Sequence, residues 1–160
     1  MPERWREPFA SNEAVRARMS TQRREGTAPE VVLRQALHRI GLRYRLHRAP
    51  LPGLRRKADI VFGPARLAVF VDGCFWHGCP DHGARRHEVN NWYWPAKISR
   101  NCERDRETDR ALTDAGWRVI RVWEHDLKGE PLQMVLRHVQ EVLAAPRPRA
   151  DRKLTAGYLK

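Results

Sequence analysis

The chain has 160 residues and a formal charge of +12, with 31 lysines and arginines against 19 aspartates and glutamates. That length suits one domain with a real core, and a hydrophobic share of 41% excludes wholesale disorder. No run approaches the roughly 18 apolar residues of a membrane span, and the opening MPERWREPFASNE has no apolar signal core, so an intracellular protein is expected.

Residues 1–26 read as a basic arm or helix contacting its partner, with a loose leader over 1–12 and a short basic helix or arm over 15–24. EGTAPE then announces a helix, since Thr27 can cap it and Pro29 is tolerated in its first turn. Leu33, Ala36, Leu37 and Ile40 form its apolar stripe, and Gly41 stops it. Residues 42–47 alternate apolar and basic positions, as a half-exposed strand does. After the turn PLPGLRRK, the runs ADIVF (58–62) and LAVFV (67–71) read as a buried hairpin linked by GPAR.

Residues 73–95 have no clean period; a loop that long is usually functional or held by something other than a core. A charged helix follows over 96–115, with Ile98, Cys102, Leu112 and Ala115 on its inward face. WRVIRVW (117–123) predicts a strand and 131–144 an amphipathic helix, with Trp117 and Trp123 as packing residues. The sequence PRPRADRKLTAGYLK suggests a mobile basic tail, so the main folded domain spans 27–145 and the tail 146–160. The order α-β-β-β-α-β-α implies an α/β protein with a mixed central sheet flanked by helices.

The positive charge favours a polyanion, of which nucleic acid is the commonest; a solvated basic surface is the alternative. Cysteines number three, and Cys74 and Cys79 stand in C-x4-C-x2-H with His82. Thiolate and imidazole are the ligands zinc prefers, and a structural site needs four. His125, directly after the strand ending at Trp123, is the candidate fourth, with His77 and His87 as rivals; Cys102 reads as a core residue. The competing reading makes both cysteines small buried residues.

Phosphodiester hydrolysis calls for a hard cation, carboxylates to hold it and a base to activate water. Asp59 lies inside an apolar strand, where a carboxylate is costly unless paired or bound to metal. Asp72 ends the partner strand, so the hairpin can bring the two together. Glu30, in a helix first turn, could add a third carboxylate or be an ordinary first-turn acid. His77, five residues after Asp72, is the candidate base. Phe75, Trp76, Trp92, Tyr93 and Trp94 crowd the irregular segment, either to enter DNA beside a distorted pair or to form a satellite core.

Five segments in order carry a resemblance: MSTQRREGTAPE, LPG with ADIVF, VDGCFWHGC, KISRNCERDR and GWRVIRVWEHDL. The chain resembles the Vsr family, the very-short-patch-repair DNA mismatch endonucleases. The resemblance implies a fold related to type II restriction endonucleases of the PD-(D/E)XK kind, with catalytic Mg2+ and structural Zn2+. It implies a nick 5′ of the T in T:G mismatches left by 5-methylcytosine deamination. Asp59 then corresponds to the metal-binding aspartate, with the backbone carbonyl of Val71 as a further ligand, His77 to the base and Glu30 to a supporting acid.

Phe75, Trp76 and Trp94 correspond to aromatics that enter the DNA, and Met19 to a contact from the opposite groove. Val71 stands where the resemblance places a threonine and Asp72 where it places a second histidine; the mixture of zinc ligands differs as well. A monomer in a bacterial-type cytoplasm, at the nucleoid, is expected, linked to a DNA cytosine methyltransferase and mismatch-repair proteins. Rival readings are a restriction- or defence-type nuclease of the same fold, and a zinc-stabilised DNA-binding module without catalysis. The carboxylates beside His77 argue against the second rival, and the aromatic wedge against the first.

Overall fold

The computed structural model describes residues 25–82 and 92–147, together with the backbone of 157–158. The proposed arm over 15–24, Met19, His87 and most of the basic tail lie outside the described residues.

Helix α1 spans Ala28–Arg39 and buries Leu33, Ala36 and Leu37. Thr27 precedes it in an extended conformation, but its hydroxyl donates to the Glu30 carboxylate (2.8 Å) and makes no backbone cap bond. Glu30 in turn accepts from the backbone N–H of Gly26 at 2.8 Å, so the helix start fixes this acid firmly. Ile40 departs from the expected stripe: the helix ends one residue before it, and its side chain is 40% exposed.

Strands β1 (Arg45–Arg48), β2 (Ala58–Phe62), β3 (Leu67–Asp72) and β4 (Arg118–Trp123) lie side by side in that order. β1, β2 and β3 run antiparallel, while β4 lies parallel to β3, with Phe70 opposite Arg121 and Asp72 opposite Trp123. A parallel pair needs a crossover, and helix α2 (Trp94–Asp114) supplies it. A 3-10 turn (Glu124–Asp126) and helix α3 (Gly129–Ala144) follow β4. Within the segment read as a mobile tail, Gly157–Tyr158 forms a two-residue strand, β5, parallel to β4, where it pairs an otherwise open sheet edge.

Alternation along the strands sends side chains to two faces. On one face Ile60, Phe62, Leu67, Val69, Ile120 and Val122 pack against Leu33 and Leu37 of α1 and Val135, Leu136 and Val139 of α3. Each large aliphatic buried there contributes roughly 1.5–3 kcal/mol, so this layer carries most of the apolar stabilisation. On the other face Val61, Ala68 and Phe70 meet Leu112 of α2 in a smaller cluster.

Helix α2 corrects two expectations. It starts at Trp94, inside the stretch read as loop, and its buried positions are Trp94, Asn101, Thr108 and Leu112. Of the predicted inward face only Leu112 is buried; Ile98, Cys102 and Ala115 are half-exposed. The helix has turned a polar stripe toward the sheet because a charged side chain of β4 stands there and must be matched.

Candidate active site and metal centre

Residues 73–82 leave the sheet at the end of β3 and are pinned by their neighbours. The side-chain amide of Asn101 donates to the Trp76 carbonyl (2.8 Å), and the Cys102 thiol donates to the His77 carbonyl (3.3 Å). Gly78 adopts φ +66°, a conformation that favours glycine, and an added Cβ would meet Ile98 Cγ2 at 3.1 Å. The tight turn at Gly78 is what lets His77 and Cys79 face different partners.

Asp59 sits on β2 with one carboxylate oxygen accepting the Val71 N–H at 2.7 Å. Its oxygen, one from Glu30 and a nitrogen of His47 lie within 4.8 Å of one another. Burial, with the neighbouring charges of Glu30 and Asp72, pushes the Asp59 carboxyl up to about 7 despite the Val71 hydrogen bond. Two acids held this close with a half-buried imidazole suit a hard divalent cation, which would offset the burial and the lesser repulsion that raise the Asp59 pKa.

His47 was not legible as a site residue, because in sequence it is one basic position of a half-exposed strand. Its signature is tertiary. It adopts φ +49°, uncommon for a residue with a side chain, and its Nε2 lies 3.8 Å from Glu30 Oε2.

Asp72 falls in a separate, adjoining cluster. The expected Asp59–Asp72 pair falls into two ligand groups, although the Asp72 charge still reaches Asp59. Asp72 accepts from Arg121 Nη1 with both oxygens (2.9 and 3.0 Å) and stands 3.6 Å from His77 Nδ1. The same His77 nitrogen makes a 2.6 Å bond with Asp105 of α2. Burial alone would lower the His77 pKa, but the Asp105 bond and the charges of Asp72 and Asp105 leave it raised. Asp105, although burial works against its ionisation, is held below the usual carboxylate range by His77 and Arg121. An imidazole oriented through one nitrogen by a carboxylate presents the other for proton transfer. Asp105 and Arg121 were missed by the sequence reading; an arginine in the middle of WRVIRVW, on the face that alternation buries, was the available signal.

Cys74, Cys79, His82 and His125 converge so that one ligand atom from each lies within 4.8 Å of the others. Cys74 Sγ lies 3.0 Å from His125 Nδ1 and 3.9 Å from His82 Nδ1, and Cys79 Sγ is 3.7 Å from both. Zinc–ligand bonds of roughly 2.3 Å to sulfur and 2.0–2.1 Å to nitrogen in a tetrahedron put S and N about 3.5 Å apart, so the donor set fits that ion. Burial and the neighbouring Cys79 push the Cys74 thiol up to about 12, so a cation would have to displace its proton. The other nitrogen of His125 faces Asp126 at 3.3 Å, and Glu124 accepts the Cys74 N–H at 2.8 Å, an outer layer that orients the ligands.

Phe75, Trp76 and Trp94 form a triangle of edge-on contacts, with centroids 4.9, 5.0 and 5.7 Å apart. Tyr93 extends it at 5.2 Å from Trp94, and Trp92 lies beyond, 49% exposed. The cysteine cluster packs instead with Trp123. The triangle is therefore an edge-on aromatic cluster separate from the metal-ligand cluster, with Phe75 and Trp76 partly open.

Residues 10–82 match the family described as DNA mismatch endonuclease Vsr. The chain is 52% identical over 122 residues to the type II nicking enzyme V.NaeI of Lentzea aerocolonigenes, covering 74% of this chain and 72% of that protein. It is 45% identical over 120 residues to the type II nicking enzyme V.XorIIP of Xanthomonas oryzae pv. oryzae, covering 73% and 84%. With the DNA mismatch endonuclease Vsr of Escherichia coli K12 it shares 38% identity over 103 residues, 64% of each chain. The catalytic domain of the homing endonuclease I-Bth0305I has the same fold, at a TM-score of 0.50 and 20% identity over 73% of this chain and 94% of that one. Kinship at this level makes the chain a member of the Vsr family and a DNA endonuclease.

Proposed function

We propose that the protein nicks one strand of duplex DNA 5′ of the T in a T:G mismatch, in a Mg2+-dependent reaction. The observation that carries this reading is the nearness of the Glu30–Asp59 acid cluster to the end of β3, where Asp105 orients His77, on the same loop as an edge-on aromatic cluster.

In this reading Asp59, Glu30 and the Val71 carbonyl hold the Mg2+, with His47 bordering them. A cation bound there would supply neutralisation of the charge developing on the phosphate. His77 takes the proton of the attacking water, while Asp105 keeps the ring oriented and stabilises its charged form. Asp72, expected as a metal ligand, acts through His77 and Arg121.

Zn2+ at Cys74, Cys79, His82 and His125 supplies the order that a loop without an apolar core lacks. Phe75, Trp76 and Trp94 press against the base pair beside the cut; unstacking costs least at a mismatch, which is where selectivity arises. Residues 1–26, with Met19, form an arm contacting DNA from the other groove, attached to an endonuclease domain over 27–145 of restriction-endonuclease type. The names of two relatives as nicking enzymes support a single-strand cut, for which one chain suffices. A DNA cytosine methyltransferase, whose product generates the lesion, and mismatch-repair proteins are the partners that fit such an activity in a bacterial cytoplasm.

The test is nicking of two labelled duplexes in Mg2+, one with a T:G pair and one fully matched. Strand-specific cleavage of the first with the second nearly untouched is the expected result. Equal cutting of both would leave an endonuclease without mismatch selectivity.

A further inference from the structure

Arg121 stands where two strands and a helix converge beside His77. On β4 it pairs with Phe70 of β3, and its guanidinium lies over that ring, 4.6 Å from the centroid. Its Nη1 donates to both oxygens of Asp72 at 2.9 and 3.0 Å. Asp105 and Asp109 are one turn apart on α2; Nη2 lies 3.4 Å from Asp105 Oδ1, and Nε is 3.0 Å from both oxygens of Asp109. One guanidinium therefore ties β3, β4 and α2 together.

Two of these three carboxylates also face the imidazole. Asp105 turns its other oxygen, Oδ2, to His77 Nδ1 at 2.6 Å, and Asp72 Oδ1 lies 3.6 Å from the same nitrogen. Asp109 engages Arg121 through Nε, a nitrogen separate from the two that hold Asp72 and Asp105. Arg121 is only 3% exposed, which sets it apart from arginines that can meet a phosphate. A buried network of this kind is a poor source of stability, because desolvation of the ions offsets much of their attraction and apolar side chains of similar volume often do as well. Apolar side chains could not, however, hold two carboxylates at fixed distances from an imidazole.

We propose that Arg121 is a positioning residue for the nicking reaction, acting on His77 through Asp105 and Asp72, with Asp109 as its anchor. The proposal rests on the reading of His77 as the base. The role requires the guanidinium fork, whose planar donors point in fixed directions and hold three carboxylates at once. A lysine ammonium keeps the charge but concentrates it at one flexible point. The carboxylates would then be free to shift, and the imidazole with them.

The experiment measures single-turnover nicking by the zinc-loaded full-length chain in Mg2+, on the labelled duplex that wild type cuts, with duplex affinity followed by anisotropy. Arg121→Lys is expected to slow nicking by roughly 10- to 100-fold, with affinity and zinc content unchanged. Asp109→Asn, which leaves the groups touching His77 in place, is expected to slow it by less. Residues that act as a unit have non-additive effects, so neither substitution should slow nicking further in a His77→Ala background. An equal fall in both backgrounds, or a fall that follows loss of affinity or zinc, overturns the proposal and leaves Arg121 a structural residue. A wild-type rate in Arg121→Lys overturns it as well. Nicking by His77→Ala as fast as by wild type overturns the base reading and the proposal with it. If Arg121→Lys does not fold, Asp109→Asn and its combination with His77→Ala decide.

Discussion

Asp59, with its carboxyl pushed up to about 7, binds its proton more tightly in the folded chain than in the unfolded one, where about 3.9 is normal. Its contribution to stability is therefore full at low pH and is lost as pH rises through about 7. Asp59→Asn keeps an oxygen for the Val71 N–H and removes the charge. It is expected to stabilise the Mg2+-free protein by roughly 1–4 kcal/mol above pH 7, with the gain vanishing below about pH 4. Thermal melts across that range measure it, and a gain independent of pH would trace to something other than this carboxylate. The same variant is expected to abolish nicking while DNA binding persists. For His77, Asp105→Asn removes the partner that holds its proton. The rate should fall roughly tenfold or more, and the acid limb of the pH–rate profile should move to lower pH. A fall in rate with an unmoved limb would leave Asp105 a purely structural role.

At the scale of elements, helix α2 and the loop 73–82 depend on each other. The helix presents Asn101, Asp105, Thr108 and Asp109 inward, and these bind the loop carbonyl of Trp76, His77, Arg56 and Arg121. The strands and α1 were legible because their apolar positions repeat with the period of the element. The face of α2 was not, since polar residues turned inward look like a solvated face until their partners are known.

Gly78→Ala tests the loop: with φ +66° and Ile98 Cγ2 at 3.1 Å, it is expected to cost about 1–2 kcal/mol and to lower nicking by displacing His77. Denaturant melts with parallel rate measurements separate the two effects, and an unchanged midpoint would remove the strain argument. Cys79→Ser is expected to eliminate bound zinc, read by metal analysis, and to lower the melting temperature. Full zinc content in that variant would move the site elsewhere.

For the whole molecule, the charge of +12 predicts that affinity for duplex DNA falls steeply with salt, by ~10³-fold between about 50 and 200 mM for about six phosphate contacts. Anisotropy titrations at several salt concentrations measure the slope, and salt-independent binding would contradict an electrostatic interface. Among the described residues no helix is long and apolar enough to cross a membrane.

Sequence alone determined the apolar strands 58–62 and 67–71, the helix carrying Leu33 and Leu37, and the cysteine–histidine spacing of residues 74–82, because periodicity and ligand spacing are local properties. It also singled out Asp59, whose charge inside an apolar strand is locally anomalous. Only the tertiary structure decided which groups that charge meets. Adjacent residues of β3 meet different partners: the Val71 N–H donates to Asp59, while the Asp72 carboxylate accepts from Arg121. Arg121 and Asp105, 49 and 33 positions along the chain from Asp72, reach it and His77 because β4 lies parallel to β3 and α2 crosses behind them. The chemistry of the site depends on these long-range neighbours, since a carboxylate or an imidazole takes its charge state and its role from the groups within a few ångströms of it.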